Sequence, residues 1–253
     1  MVISSQSDLP ALPPTDLWSE ELPFELPPES SLPPTDLWSE EPPLESYRHL
    51  KQLLLFLSCL ERLWQDRNDF FAAANMSVYY SLKQLKSRDF RGPDFFVVLG
   101  TERRERKSWT VWEEDGKYPD FIVEILSEST AANDRGIKKQ IYQDIWHTSE
   151  YFFFEPYKLQ FEGYKLLNGK YEEIVPNERG WRWSEQLQLF LGVFEEKLRF
   201  FTPDGVLVPT PEEAEVQERR RAEQAEMRTE QAEAQAAKLL RKLQELGVNV
   251  EEL

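Results

Sequence analysis

The chain has 253 residues, 40% of them hydrophobic, with 8 Trp, 9 Tyr and 16 Phe, which suffices for one sizeable core in one or two domains. Lys and Arg number 30 against 46 Asp and Glu; the net charge of −16 argues against a basic protein that coats duplex nucleic acid. One Cys and two His exclude a disulfide framework and a structural zinc cluster. Without a membrane-length apolar run or a secretory signal, we expect a cytoplasmic protein with no membrane partner.

Residues 1–44 are predicted to be a disordered acidic arm. Residues 1–46 contain ten acids, no Lys or Arg, and 10 of the 17 prolines, which disfavour a packed element. The decapeptide LPPTDLWSEE occurs twice, at 12–21 and 32–41. It is either a docking motif for a protein partner or a duplication without a role. Residues 47–203 hold 24 acids and 23 bases, so the acidic ends do not exclude a nucleic-acid partner.

Residues 45–210 are predicted to form one domain that begins with a helix. The segment SYRHLKQLLLFLSCLERLWQ has apolar residues at helical spacing, and Cys59 beside them is interpreted as a small core residue. The segments FFAAANMSVYYS and RGPDFFVVLG are predicted strands, the second closed by Gly100. The apolar stripe of the helix is Leu50, Leu53, Leu54, Leu57, Leu60 and Trp64.

Turn signals and a second helix complete the predicted domain. Asp115-Gly116 predicts a hairpin between SWTVW and YPDFIVEIL, and Asn168-Gly169 predicts another. DRGIKKQIYQDIWH predicts a helix with Ile137, Ile141 and Ile145 on one face, and EYFFFEP predicts a central strand. The order is that of an α/β sandwich, and no G-x-G-x-x-G or G-x-x-x-x-G-K motif indicates nucleotide binding. His49 and His147 lie apart and are interpreted as surface or structural residues.

Two acids occur where apolar residues are expected. Glu124 lies inside FIVEIL, and Asp94 opens FFVVL; a buried carboxylate costs several kcal/mol unless a cation or donors compensate it. Asp120 is a further candidate, but four residues of strand separate it from Glu124 by roughly 13 Å, too far to share one Mg²⁺ without a bend. An adjacent strand is only ~5 Å away. Asp94 is therefore the favoured partner of Glu124.

Helical geometry separates two adjacent lysines. Lys138 lies about 60° round the helix from Ile141 and Lys139 about 160°, so Lys138 is predicted to reach over the sheet and Lys139 to face solvent. Tyr142 follows Lys138 by one turn. The alternative is that Lys138 pairs with Asp134, four residues earlier.

These segments, SWTVWEEDGKYPDFIVEILSEST with Asp134, Lys138 and Tyr142, then SEYFFFEP, resemble a bacterial, cyanobacteria-expanded restriction-endonuclease-like family of the PD-(D/E)XK nuclease superfamily. The resemblance covers 45–210 and the C-terminal KLLRKLQELGVNVEEL. It implies a mixed sheet flanked by helices and endonucleolytic hydrolysis of nucleic acid, expected to be DNA. Asp94, after Pro93, and Glu124 would hold Mg²⁺ or Mn²⁺.

One departure from the superfamily pattern concerns the catalytic lysine. Its usual position, two residues after the glutamate, is Leu126, so Lys138 would act from the helix; Ser127 matches the family, whereas Glu128 replaces the usual proline. Leu126 also favours an alternative, a non-catalytic binding or scaffold protein with the nuclease fold. Four cations of the loop either contact phosphates or form an ordinary solvated loop. They are Arg103, Arg104, Arg106 and Lys107.

Residues 211–253 are predicted to form a coiled-coil tail that makes a homodimer. One seam position holds Ala222, Thr229, Ala236 and Leu243, and the other Ala225, Ala232, Leu239 and Leu246. Gly247 is predicted to end the helix. A solvated single helix is the alternative, because short seams are marginal.

Overall fold

The computed structural model describes residues 37–39, 44, 46–81, 92–126 and 134–245. The helices in these ranges are α1 (Tyr47–Leu63), α2 (Lys139–Asp144, which continues a π-helical turn over Asp134–Lys138) and α3 (Pro211–Glu245). The strands are β1 (Phe70–Ala74), β2 (Val78–Tyr79), β3 (Phe95–Leu99), β4 (Trp109–Thr110), β5 (Phe121–Ile125), β6 (Glu150–Glu155), β7 (Gln160–Leu167), β8 (Lys170–Glu173), β9 (Arg182–Ser184), β10 (Leu189–Phe194) and β11 (Lys197–Phe201).

The centre of the fold is a six-stranded mixed sheet in the order β1-β3-β5-β6-β7-β8. Strands β5 and β6 are parallel, and the other neighbours are antiparallel. Parallel strands need a crossover, and here the crossover contains α2. The predicted α/β class, the mixed sheet with flanking helices and the interior position of EYFFFEP are confirmed.

Each face of this sheet has its own core. Helix α1 and the three-stranded sheet β11-β10-β9 cover one face, and α2 with the small parallel pair β2-β4 covers the other. Side chains of a strand alternate between the faces, so Phe95 and Val97 pack towards α1, whereas Phe96 and Val98 pack towards α2. Each such fully buried side chain stabilises the fold by about 1.5–3 kcal/mol.

Helix α1 forms over the predicted segment and buries part of the predicted apolar stripe, including Leu53, Leu60 and Trp64. The Ser46 hydroxyl accepts the His49 N–H at 3.2 Å and caps the helix. Leu50 and Leu54, two of the predicted core positions, are exposed, whereas His49 and Gln52 are buried. Gln52 can be buried because its amide pairs with both the N–H and the C=O of Leu198. Cys59 is buried as predicted, and burial raises the pKa of its thiol to about 11.

One predicted hairpin is confirmed and the other is wrong. Asn168 and Gly169, both with positive φ, connect the antiparallel strands β7 and β8. Asp115 and Gly116 also have positive φ, but β4 pairs in parallel with β2, while β5 pairs with β3 and β6. A 3₁₀ turn over Val111–Glu113 follows β4 and turns the chain out of the strand before the Asp-Gly turn.

The helix after β5 also differs from its predicted pattern. Ile137 is exposed, Ile141 and Ile145 are partly buried against the core, and Tyr142 and Trp146 are buried. A π-helical turn precedes α2 and takes more residues per turn than an α-helix, so the phase predicted from Ile137 is shifted. The prediction that Lys139 faces solvent is wrong: it is half-buried, with its Nζ 3.2 Å from the centre of the Tyr164 ring.

The last described element is the 35-residue helix α3, which begins at Pro211. The buried Arg199 guanidinium donates two hydrogen bonds to Glu213 in its first turn, at 3.0 and 2.6 Å. The predicted seam residue Leu239 is exposed, while Leu246 and Gly247 lie outside the described residues. In the described part of the chain, no helix is long and apolar enough to cross a membrane.

The predicted N-terminal arm is described only in part, and residues 1–36 lie outside the described residues. Three of its residues, Leu37–Ser39, contact the domain rather than leaving it.

Candidate active site

Strand register places Asp94 beside Glu124, and the Glu124 side chain lies on the face that α2 covers. Phe95 lies opposite Val123 in the antiparallel pair β3-β5, so the preceding residue of β3 stands beside the following residue of β5. Glu124 lies between Ile122 and Leu126, which belong to the core of that face. The Asp94 N–H donates to Glu124 Oε2 at 3.4 Å.

Asp94 completes the end of the β3-β5 ladder. Its Oδ2 accepts the Ile125 N–H at 2.7 Å, beyond the last paired residue of β3. Gly92 lets the chain approach β1 and β2 here, because a Cβ at this position would lie 2.1 Å from the Met76 carbonyl oxygen. The Asp94 carbonyl in turn accepts the Asn75 N–H at 2.8 Å. The backbone on both sides therefore fixes the position of the carboxylate.

Glu124 is fully buried and its two oxygens contact α2 and the turn before it. Lys138 Nζ lies 3.0 Å from Oε2, and the Tyr142 hydroxyl donates to Oε1 at 2.7 Å. The one-turn spacing of Lys138 and Tyr142 directs both side chains at the same carboxylate. A buried carboxylate is tolerated when a cation and donors compensate it in this way.

The neighbouring charges keep Asp94 ionised. Burial raises the pKa of this carboxyl, but the His49 imidazole, the Lys138 ammonium and the Ile125 hydrogen bond together hold the pKa below its ordinary value. Among the described residues, the site therefore presents two carboxylates and one ammonium in a largely desolvated setting.

Helix α1 adds His49, a residue that the sequence analysis placed outside any site. Its Nε2 lies 3.3 Å from Asp94 Oδ1, and within the described residues it makes no hydrogen bond of good geometry. Its side chain is buried at the first turn of the helix, one turn before Leu53 and two before Phe56. The helical spacing of His49 from these two core residues could have shown from the sequence that its side chain is buried. The run of leucines instead indicated a different face of α1 as the buried one.

Leu126 occupies the position where the superfamily lysine is expected. It is buried in the core of the α2 face, on the same side of the sheet as Glu124. The ammonium near Glu124 comes from Lys138 on the helical side instead. Ser127 and Glu128 lie outside the described residues, and the side chain of Asp134 is not among those described.

Residues 20–194 match the Uma2 family, which carries the description "Putative restriction endonuclease". The chain belongs to the Uma2 family. This confirms the resemblance to a restriction-endonuclease-like family. The chain is also similar to a crystal structure of "a putative nuclease belonging to DUF820" from Anabaena variabilis ATCC 29413, with 13% identity and a TM-score of 0.42, over 57% of this chain and 76% of that chain. No curated protein matches the chain.

In this Uma2 chain, the third acid candidate, Asp120, lies at the opposite end of β5 from Glu124. Its Oδ2 accepts the Leu99 N–H at 2.7 Å, and burial raises the pKa of its carboxyl. The structure therefore gives Asp120 a contact at the far end of β3 and does not bring it to Glu124.

The cationic loop of the Uma2 chain packs against the protein. Arg106 is almost fully buried; its guanidinium pairs twice with Glu114, at 2.6 and 2.9 Å, and lies over the rings of Phe71 and Trp109. Arg104 joins the same Glu114 from a half-exposed position. Other contacts of the loop are Arg103 with the Phe70 ring and Lys107 with the Trp38 ring.

Proposed function

We propose that this chain is a metal-dependent endonuclease that hydrolyses phosphodiester bonds, with DNA as its substrate. The observation that carries the proposal is the fully buried Glu124, held between the Lys138 ammonium and the Tyr142 hydroxyl, directly beside Asp94. Two carboxylates on neighbouring strand positions and an ammonium beside them are the groups that metal-assisted phosphoryl chemistry uses. Membership of the Uma2 family supports the same reaction class.

The donor set fits one Mg²⁺ or Mn²⁺ bound by Asp94 and Glu124. Among the described residues, no three His, Cys, Asp or Glu side chains are grouped to hold a metal. Mg²⁺ is commonly held by only one or two carboxylates, with water and phosphate oxygens as its other ligands. When bound, the ion would polarise a phosphate oxygen and lower the pKa of a bound water.

Each side chain of the site then has a distinct role. Asp94 and Glu124 present oxygens from rigid, adjacent strands. Lys138 would orient the attacking water or stabilise the charge that grows on the phosphate. The Tyr142 hydroxyl donates to Glu124 Oε1 and holds this carboxylate in one orientation. His49 Nε2 lies 3.3 Å from Asp94 Oδ1.

Calorimetric titration of the full chain with Mn²⁺ tests the metal site without requiring a substrate. We expect Asp94→Asn and Glu124→Gln each to weaken binding at least about tenfold, because each loses one charged ligand while keeping the side-chain shape. Asp120→Asn is the matched control and should bind as the wild type does. If the wild type binds neither Mn²⁺ nor Mg²⁺ at millimolar concentration, or if all variants bind equally, this metal site is wrong.

A second candidate function is a nuclease-fold binding or scaffold protein without catalysis. One specific observation favours it: Leu126 fills the usual lysine position with a buried core side chain. The Mn²⁺ titration distinguishes the two candidate functions. A scaffold protein does not need to bind a cation, so its function does not require metal binding that depends on Asp94 and Glu124.

We also propose that the chain forms a homodimer through α3. The exposed Leu239 and Leu240 lie on this helix near its described end, and exposed leucines on a long helix are suited to a partner helix.

A further inference from the structure

Leu37–Ser39 occupy a cleft beside the small parallel pair β2-β4. The cleft is formed by Ser77, Tyr79, Lys107 and Ser108, and we call it the Ser77 cleft. Its occupant is the Leu-Trp-Ser part of the second LPPTDLWSEE copy.

Most of the contacts use the main chain of the occupant. The hydroxyls of Ser108 and Tyr79 donate to the carbonyls of Leu37 and Trp38, at 2.8 and 3.0 Å. The Ser39 N–H donates to the Lys107 carbonyl at 3.1 Å. The Trp38 ring is 70% exposed, with Lys107 Nζ 4.7 Å from its centre. The cleft thus holds residues 37–39 mainly through hydrogen bonds to their main chain.

The Ser39 side chain makes the contacts that depend on the sequence of the segment. The Ser39 hydroxyl accepts the Ser77 N–H at 3.0 Å and lies 3.4 Å from the Ser77 hydroxyl. An occupant of this cleft therefore needs two carbonyls followed by a serine N–H and hydroxyl.

The first copy carries the same groups in the same order. Residues 12–21 and 32–41 are identical over ten residues, so Leu17, Trp18 and Ser19 correspond to Leu37, Trp38 and Ser39. The family match over 20–194 includes the second copy and almost none of the first. No contact that the cleft makes with residues 37–39 can distinguish the two copies.

We propose that the Ser77 cleft is a peptide-binding site with two alternative occupants from its own chain, and that residues 17–19 bind it whenever residues 37–39 leave. Seven peptide bonds separate Ser39 of the second copy from the α1 cap Ser46, and 27 separate Ser19 of the first copy from it. Because the cost of loop closure rises with the logarithm of loop length, the second copy is favoured only roughly eightfold. The first copy is thus a built-in competitor for the cleft, independent of the proposed nuclease activity.

The Ser77 amide reports directly on occupancy, because the occupant serine accepts its hydrogen bond. Its hydrogen-exchange rate can be measured by NMR in the full chain for Ser39→Pro, Ser19→Pro and the double variant. Proline removes both the N–H that binds Lys107 and the hydroxyl that binds Ser77. We expect Ser19→Pro to exchange as the wild type does, Ser39→Pro to exchange roughly eightfold faster, and the double variant to exchange faster still.

A second measurement keeps the test independent of any folding defect. The synthetic decapeptide LPPTDLWSEE, added to the double variant, should slow exchange of the Ser77 amide again, whereas the peptide with Ser→Pro should not. The proposal is overturned if Ser39→Pro alone matches the double variant, if no variant changes the rate, or if the peptide has no effect.

Discussion

Glu124 has zero exposure and stands in a strand position that otherwise holds core residues. Its charge is compensated by one ammonium and one hydroxyl from a single helical turn. Removing one partner of a buried ion pair leaves an uncompensated charge, which costs several kcal/mol. The same contact therefore also places Lys138 beside one of the two proposed metal ligands.

Lys138→Met should reduce the free energy of unfolding by about 3–5 kcal/mol at neutral pH, because Glu124 then remains buried without its cation. Lys139→Met is the matched control, since Lys139 is half-buried against the Tyr164 ring rather than paired with Glu124. Urea denaturation measures both. Equal losses in the two variants would contradict the central role of the Lys138–Glu124 pair.

A second buried acid, Glu150, connects β6 to the three-stranded sheet. Its carboxylate accepts hydrogen bonds from the Ser184 hydroxyl and the Glu185 and Gln186 amides, but burial dominates and raises the pKa of Glu150 from 4.5 to about 7. The folded chain therefore retains this proton to a higher pH than the unfolded chain does.

This raised pKa predicts a pH-dependent stability. The stabilisation by the Glu150 proton is complete below the unfolded pKa and is lost as the pH rises through about 7. Between pH 5 and pH 8 the wild type should lose about 2–3 kcal/mol of unfolding free energy relative to Glu150→Gln, which cannot ionise. Urea denaturation of both proteins at the two pH values gives the difference. Parallel pH profiles for the two proteins would show that Glu150 does not titrate in this range.

His49 faces Asp94 from α1, and a group that orients a metal ligand typically contributes 10- to 100-fold in metal affinity. We expect His49→Ala to weaken Mn²⁺ binding by about that factor and His49→Gln to restore part of it. The control is His147→Ala, because His147 is exposed and contacts the Gln143 carbonyl. Unchanged Mn²⁺ affinity in His49→Ala would show that His49 is only a packed core residue.

The residues that the sequence placed at the site are those whose chemistry conflicts with their surroundings. Asp94 and Glu124 stand out because acids do not belong in apolar strands. His49 does not stand out, since a histidine in a leucine-rich helix is compatible with either face. The burial of Arg106 could not be predicted from the sequence either, because nothing in a run of charged residues distinguishes a buried arginine from a solvated one.

At the scale of elements, strands and their order were more predictable than helix phase. Alternation and apolar runs define β3, β5 and β6, and the Asn168-Gly169 turn defines the β7-β8 pair. The π-helical turn before α2 carries no recognised sequence signal, yet it sets which residues face the sheet. The Asp115-Gly116 turn formed, but the pairing of β4 with β2 depends on long-range packing that a local motif cannot report.

In helix α3, the residues that contact the domain are separate from the leucines that we propose to form the homodimer. Its first turn holds Glu213 against the buried Arg199, and Glu218 lies 3.7 Å from Arg62, so a truncation must keep these residues. We expect a chain ending at Arg221 to keep its melting temperature but to become monomeric, since the exposed leucines lie beyond this point. Light scattering compares the two chains, with Glu213→Gln as the variant that should lower the melting temperature. The same subunit number in the full and the truncated chain would exclude the part of α3 after Arg221 from assembly.

In the whole molecule, the excess of acidic residues and the folded sheet occupy different parts of the chain. The acids concentrate in residues 1–46 and in the last fifty residues, whereas the sheet and its two cores lie in the nearly neutral middle. The net charge of −16 therefore describes the ends and not the face that carries Asp94 and Glu124.

We propose above that Asp94, Glu124 and Lys138 form a site that hydrolyses phosphodiester bonds with a bound metal, and this function can be assayed on the full chain. It is tested most directly by incubating the full chain with single- and double-stranded DNA and RNA in Mg²⁺ or Mn²⁺, beside Asp94→Asn, Glu124→Gln and the Asp120→Asn control. We expect DNA cleavage that EDTA abolishes, that the control retains and that the two site variants lose while remaining folded by circular dichroism. Cleavage at the wild-type rate by either site variant, or no cleavage of any substrate by the wild type, would contradict it.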